Sequence, residues 1–161
     1  MSKITYLKGD ATQPIGDGRK IICHICNNIG AWGAGFVLAL SKRWKQPEES
    51  YRALFAPDAP EADRMLGSVT LIDVGNDRFG NNILVANMIA QSGIKSFSGI
   101  PPIRYGAVRA ALAEVNNFAY SHHFTLHMPR IGCGLAGGSW EEIEAILKDV
   151  MSVDVFVYDF K

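Results

Sequence analysis

The stretch Lys20-Ile-Ile-Cys-His-Ile-Cys-Asn-Asn-Ile-Gly-Ala-Trp-Gly-Ala-Gly35 decides the fold. Lys20 to Cys26 reads as a continuous apolar run carrying one histidine, the pattern of a strand buried on both faces. Gly30, Gly33 and Gly35 break that run, and Phe36 to Trp44 has helical spacing. A buried strand, a glycine loop and a helix in succession open a layered α/β unit. The order returns later: Thr125 to Pro129 as a strand, Gly132-Cys-Gly-Leu-Ala-Gly-Gly138 as a loop, then a helix with apolar residues at Trp140, Ile143, Ile146, Leu147, Val150 and Met151.

Working outward, Ile4 to Tyr6 reads as a first strand ending at Gly9-Asp10, and Glu48 to Phe55 as a helix that Pro47 starts. Gly67 to Val74 and Asn82 to Ala90 read as strands joined by the turn residues Gly75-Asn-Asp-Arg-Phe-Gly80. After Pro101-Pro102, apolar residues at Val108, Ala111, Leu112, Val115 and Phe118 mark a long amphipathic helix, and Val153 to Tyr158 reads as a last strand. No repeat or linker interrupts the 161 residues, so one domain spanning 1–161 is expected. Alternating strands and helices with buried central strands imply a three-layer α/β/α sandwich around a central sheet.

Composition narrows the function classes. Hydrophobic residues at 48% and charged residues at 20% describe a globular chain rather than a disordered one. Sixteen basic residues balance sixteen acidic ones, which argues against nucleic-acid binding through bulk positive charge. Apolar stretches such as Ile83 to Ala90 are too short to span a bilayer, and the N-terminal residues lack the apolar block of a signal peptide. Three cysteines form no disulfide framework, so the expected compartment is the cytoplasm.

Each glycine loop follows a strand and opens a helix, which gathers unpaired backbone N–H groups where α/β sheets bind ligands. The helix near Gly33 to Gly35 has no Ser, Thr, Asp or Asn cap and no acid before Glu48, so its N-terminus is open to an external anion. In the later helix Ser139 and Glu142 fit a capping box that would satisfy that helix's own donors. Any anion there would use the loop amides from Gly132 to Gly137. Tight strand-to-helix turns are the plain alternative for both.

Gly132, Gly134 and Gly137 also spell the dinucleotide fingerprint, with Asp159 at the end of the next strand. A Rossmann half needs a further strand after that acid, and the chain stops at Lys161. An NAD-binding protein therefore stays the minor alternative.

Lys8-Gly-Asp-Ala-Thr12, His24-Ile-Cys-Asn27 leading into the first glycine loop, and Met128-Pro-Arg-Ile-Gly-Cys-Gly-Leu135 resemble the macrodomain family over nearly the whole chain. Within it, the chain is similar to the terminal ADP-ribose protein glycohydrolases and to a phosphatase acting on ADP-ribose 1″-phosphate. The bacterial subgroup reading Ala86-Asn-Met through Gln91 and Met128-Pro-Arg-Ile-Gly-Cys-Gly-Leu-Ala-Gly-Gly138 matches best. The resemblance implies a mixed sheet between helices and an ADP-ribose cleft across the strand ends. It further implies removal of ADP-ribose from acidic side chains (de-ADP-ribosylation) or hydrolysis of O-acyl-ADP-ribose.

Carried onto this chain, the resemblance puts Asp10 at the adenine amino group and the Ala11 backbone beside the ring. Asp10 as a simple turn residue is the competing reading. Asn27 falls at the distal ribose, and Gly33, Ala34 and Gly35 at the phosphates. Arg130, Ile131, Gly132, Cys133, Gly134, Leu135 and Ala136 would wrap the diphosphate and distal ribose through their backbone. Tyr158 and Phe160 would wall the adenine, or form an ordinary buried aromatic strand. ADP-ribose, or a protein carrying it, is the expected partner; no cofactor, metal or membrane is.

The attacking lysine and assisting aspartate of the best-understood glycohydrolase branch are matched here by Gln91 and Ala136. Glutamine forms no Schiff base and alanine moves no proton, so hydrolysis would use water, or the domain would only read ADP-ribose. His24 could orient or deprotonate that water, against the plain reading of a satisfied core histidine. Cys23-x-x-Cys26 lies inside a strand with no second cysteine pair, which disfavours metal. Cys133 has no base nearby in sequence, and His122 and His123 read as solvated residues at a helix end, with His127 as a doubtful third member of a cluster.

Overall fold

A computed structural model describes residues 2–160. Among them, six strands form one sheet in the order β1-β6-β5-β2-β4-β3: β1 Ile4–Lys8, β2 Arg19–Asn27, β3 Val69–Asn76, β4 Asn82–Gln91, β5 Phe124–Met128 and β6 Val155–Asp159. The helices are α1 Phe36–Arg43, α2 Gln46–Ala53, α3 Ala62–Met65, α4 Tyr105–His122 and α5 Trp140–Val150. β3 runs antiparallel to β4 and the other pairs are parallel, so the sheet is mixed.

The alternation of β2 divides the core. Ile21 and Cys23 pack with α4 and α5, through Val108, Leu112, Ile143 and Leu147 among others. Ile22 and Cys26 face the opposite layer, with Leu40 of α1, Tyr51 of α2 and Met65 of α3. The run from Lys20 is less apolar than its burial suggests. Lys20 is itself fully buried, and its ammonium donates to the Gly18 carbonyl at 2.8 Å and to Asp77 Oδ2 at 3.0 Å. Asp77 sits in the β3–β4 turn, where Oδ1 accepts the N–H groups of Phe79 and Asn81.

Topology places the site. β2 feeds α1 on one face of the sheet, whereas its neighbours β5 and β4 feed α5 and α4 on the other. Connections that leave to opposite faces open a crevice beyond the carboxyl ends of adjacent strands. Here that crevice lies beyond Asn27 and Met128.

Candidate functional site

A cavity of about 550 Å³ occupies this switch point. One side is the first loop and the start of α1, from Ala31 to Val37. The other is the second loop, with Arg130, Ile131, Gly132, Gly134, Leu135 and Ala136 in its wall. His24, Ile25, Cys26, Asn27, Gln91 and Ile94 form the floor and one end.

Both loops offer donors. Gly35, at φ +82°, is the N-cap of α1 and brings no side-chain acceptor, and the first turn holds no acid. Its terminal N–H groups therefore keep the partial positive charge of an uncapped helix start. In the second loop the Gly138 N–H folds back onto the Gly132 carbonyl at 2.7 Å, and Gly137 N–H onto Gly134 at 3.0 Å. The N–H groups of Gly134, Leu135 and Ala136 find no acceptor among the described residues. Successive free amides of this kind make an anion-binding concavity.

The expected capping box does not form. No side chain caps α5, and the Ser139 N–H donates instead to the Tyr105 hydroxyl at 2.9 Å. Tyr105 thereby takes the donor that Glu142 would have held, and it ties the second loop to α4.

The first loop is rigid through Asn27. Its Oδ1 accepts the Ile29 and Ala31 N–H groups at 3.0 and 3.1 Å, and its Nδ2 donates to the Ala31 carbonyl at 2.7 Å. The buried Tyr51 hydroxyl lies 2.7 Å from Asn27 Oδ1 and accepts the Gly30 N–H. Burial raises the Tyr51 pKa, so the phenol stays a donor. A register shift between Cys26 and Asn27 places Asn27 opposite Gln91, whose Nε2 donates to the Gly93 carbonyl at 3.0 Å. Trp32 completes the wall, its Nε1 held by Ser41 and Ser41 by Glu48.

His24 reaches the cavity from mid-strand yet is 2% exposed. Burial lowers its pKa to about 4, against a smaller opposing effect of its hydrogen bond to Asn87. It is neutral at pH 7. Cys26 lies beside it with its thiol pKa pushed up by burial, so neither group supplies a charge to the floor.

Of the remaining expected residues, Asp10, Ala11, Cys133, Tyr158 and Phe160 do not line this cavity. Asp10 closes a turn, with Oδ1 accepting the N–H and hydroxyl of Thr12, while Oδ2 has no partner among the described residues. Ala11 is buried beside it. Tyr158 is buried and off the cavity wall, its hydroxyl bonded to His127 and to the Ile15 N–H. Phe160 is exposed. The Cys133 side chain turns into the core under α4 and α5 rather than into the cavity. The Arg130 guanidinium grips Asp159 at 2.6 and 3.1 Å and stacks on Tyr6 and Trp140. That grip occupies both Asp159 oxygens, which the dinucleotide reading needs for a ribose. Sequence reasoning overlooked Trp32, Phe36, Ile94 and Pro129 as wall residues; an aromatic inside a glycine loop was the available signal for Trp32.

His127 is buried between Thr125 and Tyr158, and among the described residues no group of three potential metal ligands exists. No helix of the described residues is long and apolar enough to cross a membrane.

No family model matches the chain. It is 51% identical to a Bacteroides thetaiotaomicron protein whose structure superposes with a TM-score of 0.84, covering 97% of this chain and 98% of that one. It is 29% identical to an ADP-ribose 1″-phosphate phosphatase of Meyerozyma guilliermondii, over 92% of this chain and 94% of the relative. A macrodomain protein from Streptomyces coelicolor is 41% identical, with a TM-score of 0.79 and coverage of 99% and 100%. With that identity over the full length, and the mixed sheet and switch-point cleft in place, the chain belongs to the macrodomain family.

Proposed function

We propose that the cleft binds ADP-ribose and that the protein hydrolyses an ester at the distal ribose, carried by a protein carboxylate or as O-acyl-ADP-ribose. The observation that carries this reading is the pairing of two donor-rich loops across one cavity. The uncapped start of α1 faces the free amides of Gly134 to Ala136, a setting for a diphosphate. Asp10 Oδ2 then takes the adenine amino group, with Ala11 against the ring and Tyr158 and Phe160 at that end. Asn27 and Gln91 hold the distal ribose, each through an amide N–H that its loop bond leaves over. His24, being neutral, offers a lone pair toward water rather than a charge. The protein acts in the cytoplasm on soluble substrate.

A second reading, phosphatase action on ADP-ribose 1″-phosphate, is favoured by the end-to-end similarity to the Meyerozyma phosphatase. One experiment separates the readings. The protein is incubated with glutamate-linked ADP-ribosyl protein, with O-acetyl-ADP-ribose and with ADP-ribose 1″-phosphate, and released ADP-ribose is measured by mass. Release from the first two supports the esterase, and release from the third alone the phosphatase. Tight ADP-ribose binding with no release makes the domain a reader.

A further inference from the structure

A second cavity, of about 610 Å³, shares no lining residue with the cleft. Three segments wall it. Gln13 comes from the β1–β2 loop, Arg43 and Trp44 from the end of α1, and Arg78 and Phe79 from the turn after Asn76, which ends β3. Ile83, at the start of β4, also lines it, whereas the cleft takes Gln91 from the end of that strand. The walls are held in place. The Ile15 N–H donates to the Tyr158 hydroxyl at 3.0 Å, Trp44 packs on the core, and Asp77 Oδ1 closes the turn by accepting the N–H groups of Phe79 and Asn81.

Two of the walls repeat one arrangement. The Arg43 guanidinium lies over the Trp44 ring, 5.8 Å from its centroid, and that of Arg78 over the Phe79 ring, at 4.9 Å. A guanidinium laid on a ring keeps its N–H edge for an anion. Neither has a carboxylate partner among the described residues. Asp77, the acid in the wall, is already engaged, because its Oδ2 holds the buried Lys20 ammonium at 3.0 Å. The cavity thus gathers two unpaired cations beside a neutralised acid. Phe79 is 74% exposed, which leaves ring surface for a further stacking partner. The side-chain bonds of these loops leave the Gln13 and Asn76 amides unpaired.

We propose that this cavity is a second ligand site, for a nucleoside monophosphate, independent of what the cleft binds. Arg43 and Arg78 take the phosphate through charge-assisted hydrogen bonds. The Phe79 ring stacks on the base, and the amides of Gln13 and Asn76 meet its donor and acceptor edge. The volume lies within the roughly 300–1,000 Å³ of small-ligand sites. The occupant is a free mononucleotide rather than a nucleic-acid strand, because the chain has a formal charge of zero and two free guanidiniums are too few for a run of phosphates.

The test is a heteronuclear NMR titration of the full chain with UMP, uridine, inorganic phosphate and an oligouridylate. Amides of Gln13, Ile15 and Asn76 to Phe79 report this cavity, and those of Gly134 to Ala136 report the cleft. UMP should move the first set, with uridine and phosphate each at least about tenfold weaker, since each supplies one half of the contacts. Arg43→Gln and Arg78→Gln should each weaken UMP about tenfold, and Phe79→Ser about fivefold or more. All three side chains are exposed, so these variants keep the fold, which unchanged cleft amides verify. Shifts confined to the cleft, or no shifts, overturn the site. Phosphate bound as tightly as UMP, an oligouridylate bound at least about tenfold tighter per site, or UMP binding that survives all three substitutions overturns the mononucleotide assignment.

Discussion

The Nε2 of His24 lies 2.5 Å from the Oδ1 of Asn87, its register partner on the neighbouring strand, and that contact fixes the imidazole's tautomer. Asn87 Nδ2 donates to the Pro47 carbonyl at 3.0 Å, so the amide has one orientation and its oxygen must face His24. Nε2 therefore carries the proton, and Nδ1, with the Cys26 thiol 4.0 Å away, is the lone pair.

The first prediction follows from that chain of bonds. Nitrogen NMR should show His24 as the Nε2–H tautomer at neutral pH, with its protonation midpoint lowered to about 4. Asn87→Leu strands both the imidazole N–H and the Pro47 carbonyl, at roughly 1–3 kcal/mol for each buried group left unpaired. Denaturant unfolding should register a loss of about 2–6 kcal/mol in total. An imidazole titrating at its ordinary pH would remove the assignment.

The second prediction is acid lability with a defined sign. His24 has its pKa lowered to about 4 by burial, and His127 to about 3 by burial and then by the charge of Lys20. Both fold neutral and unfold to groups that protonate near pH 6.5, so below that pH the unfolded state binds more protons. Their stabilising contribution is complete above about pH 7.5. It falls through pH 5 with a slope of at most about 1.4 kcal/mol per pH unit for each histidine. Unfolding free energies at pH 8, 6 and 5 check this. His127→Gln, which retains a donor and an acceptor, should remove about half of the slope. Stability that stays level between pH 7 and pH 5 would contradict it.

Much of this arrangement was legible in the sequence, and the omissions have physical reasons. Glycines after buried strands located both loops, because conformational need at Gly35 and Gly132, with φ of +82° and +77°, leaves a compositional mark. The missing acid before Glu48 correctly left α1 uncapped. Ser139 and Glu142 misled because Tyr105, far off in sequence, takes the Ser139 N–H. Lys20 passed as part of an apolar run because its partner Asp77 lies across the sheet in another turn. Tertiary partners leave no local pattern. For the same reason the sequence did not pair Tyr51 with Asn27, or the Asn87 of Ala86-Asn-Met with His24, and α3 is too short to show a period.

A third prediction contrasts glycines within the second loop. A Cβ on Gly138 would lie 2.5 Å from the Gly132 carbonyl oxygen, which is backbone, and 2.8 Å from Ile103 Cδ1. Gly134 has nothing within 4 Å and no positive φ. Gly138→Ala should therefore open the loop, weaken ADP-ribose binding more than tenfold and cost about 1–3 kcal/mol of stability. Gly134→Ala should leave stability within about 0.5 kcal/mol of the parent. Gly134→Glu should fold equally well but lose binding, because it sets a carboxylate where the diphosphate is proposed to lie. Equal stability of the two alanine variants would refute the packing argument.

The last prediction concerns the chemical step. A mechanism through an imine needs an amine at the distal ribose, and among the described residues no lysine lines the cleft. Lys95 belongs to the β4–α4 loop beyond Gln91, and Lys20 is fully buried with its ammonium engaged by Gly18 and Asp77. Turnover should therefore pass through water with no covalent intermediate, and borohydride added during turnover should trap no ADP-ribosyl adduct on the protein. Gln91, already anchored to Gly93 through one amide hydrogen, keeps the other for a sugar hydroxyl. Gln91→Ala should then lower the rate about tenfold, the scale of one hydrogen bond, without abolishing it. A lysine adduct mapped by mass spectrometry, at Lys95 or elsewhere, and lost together with activity when that lysine is replaced, would sink the water route. The small side chain of Ala136 in the cavity wall would then need another explanation than room for the attacking water or the leaving acyl group.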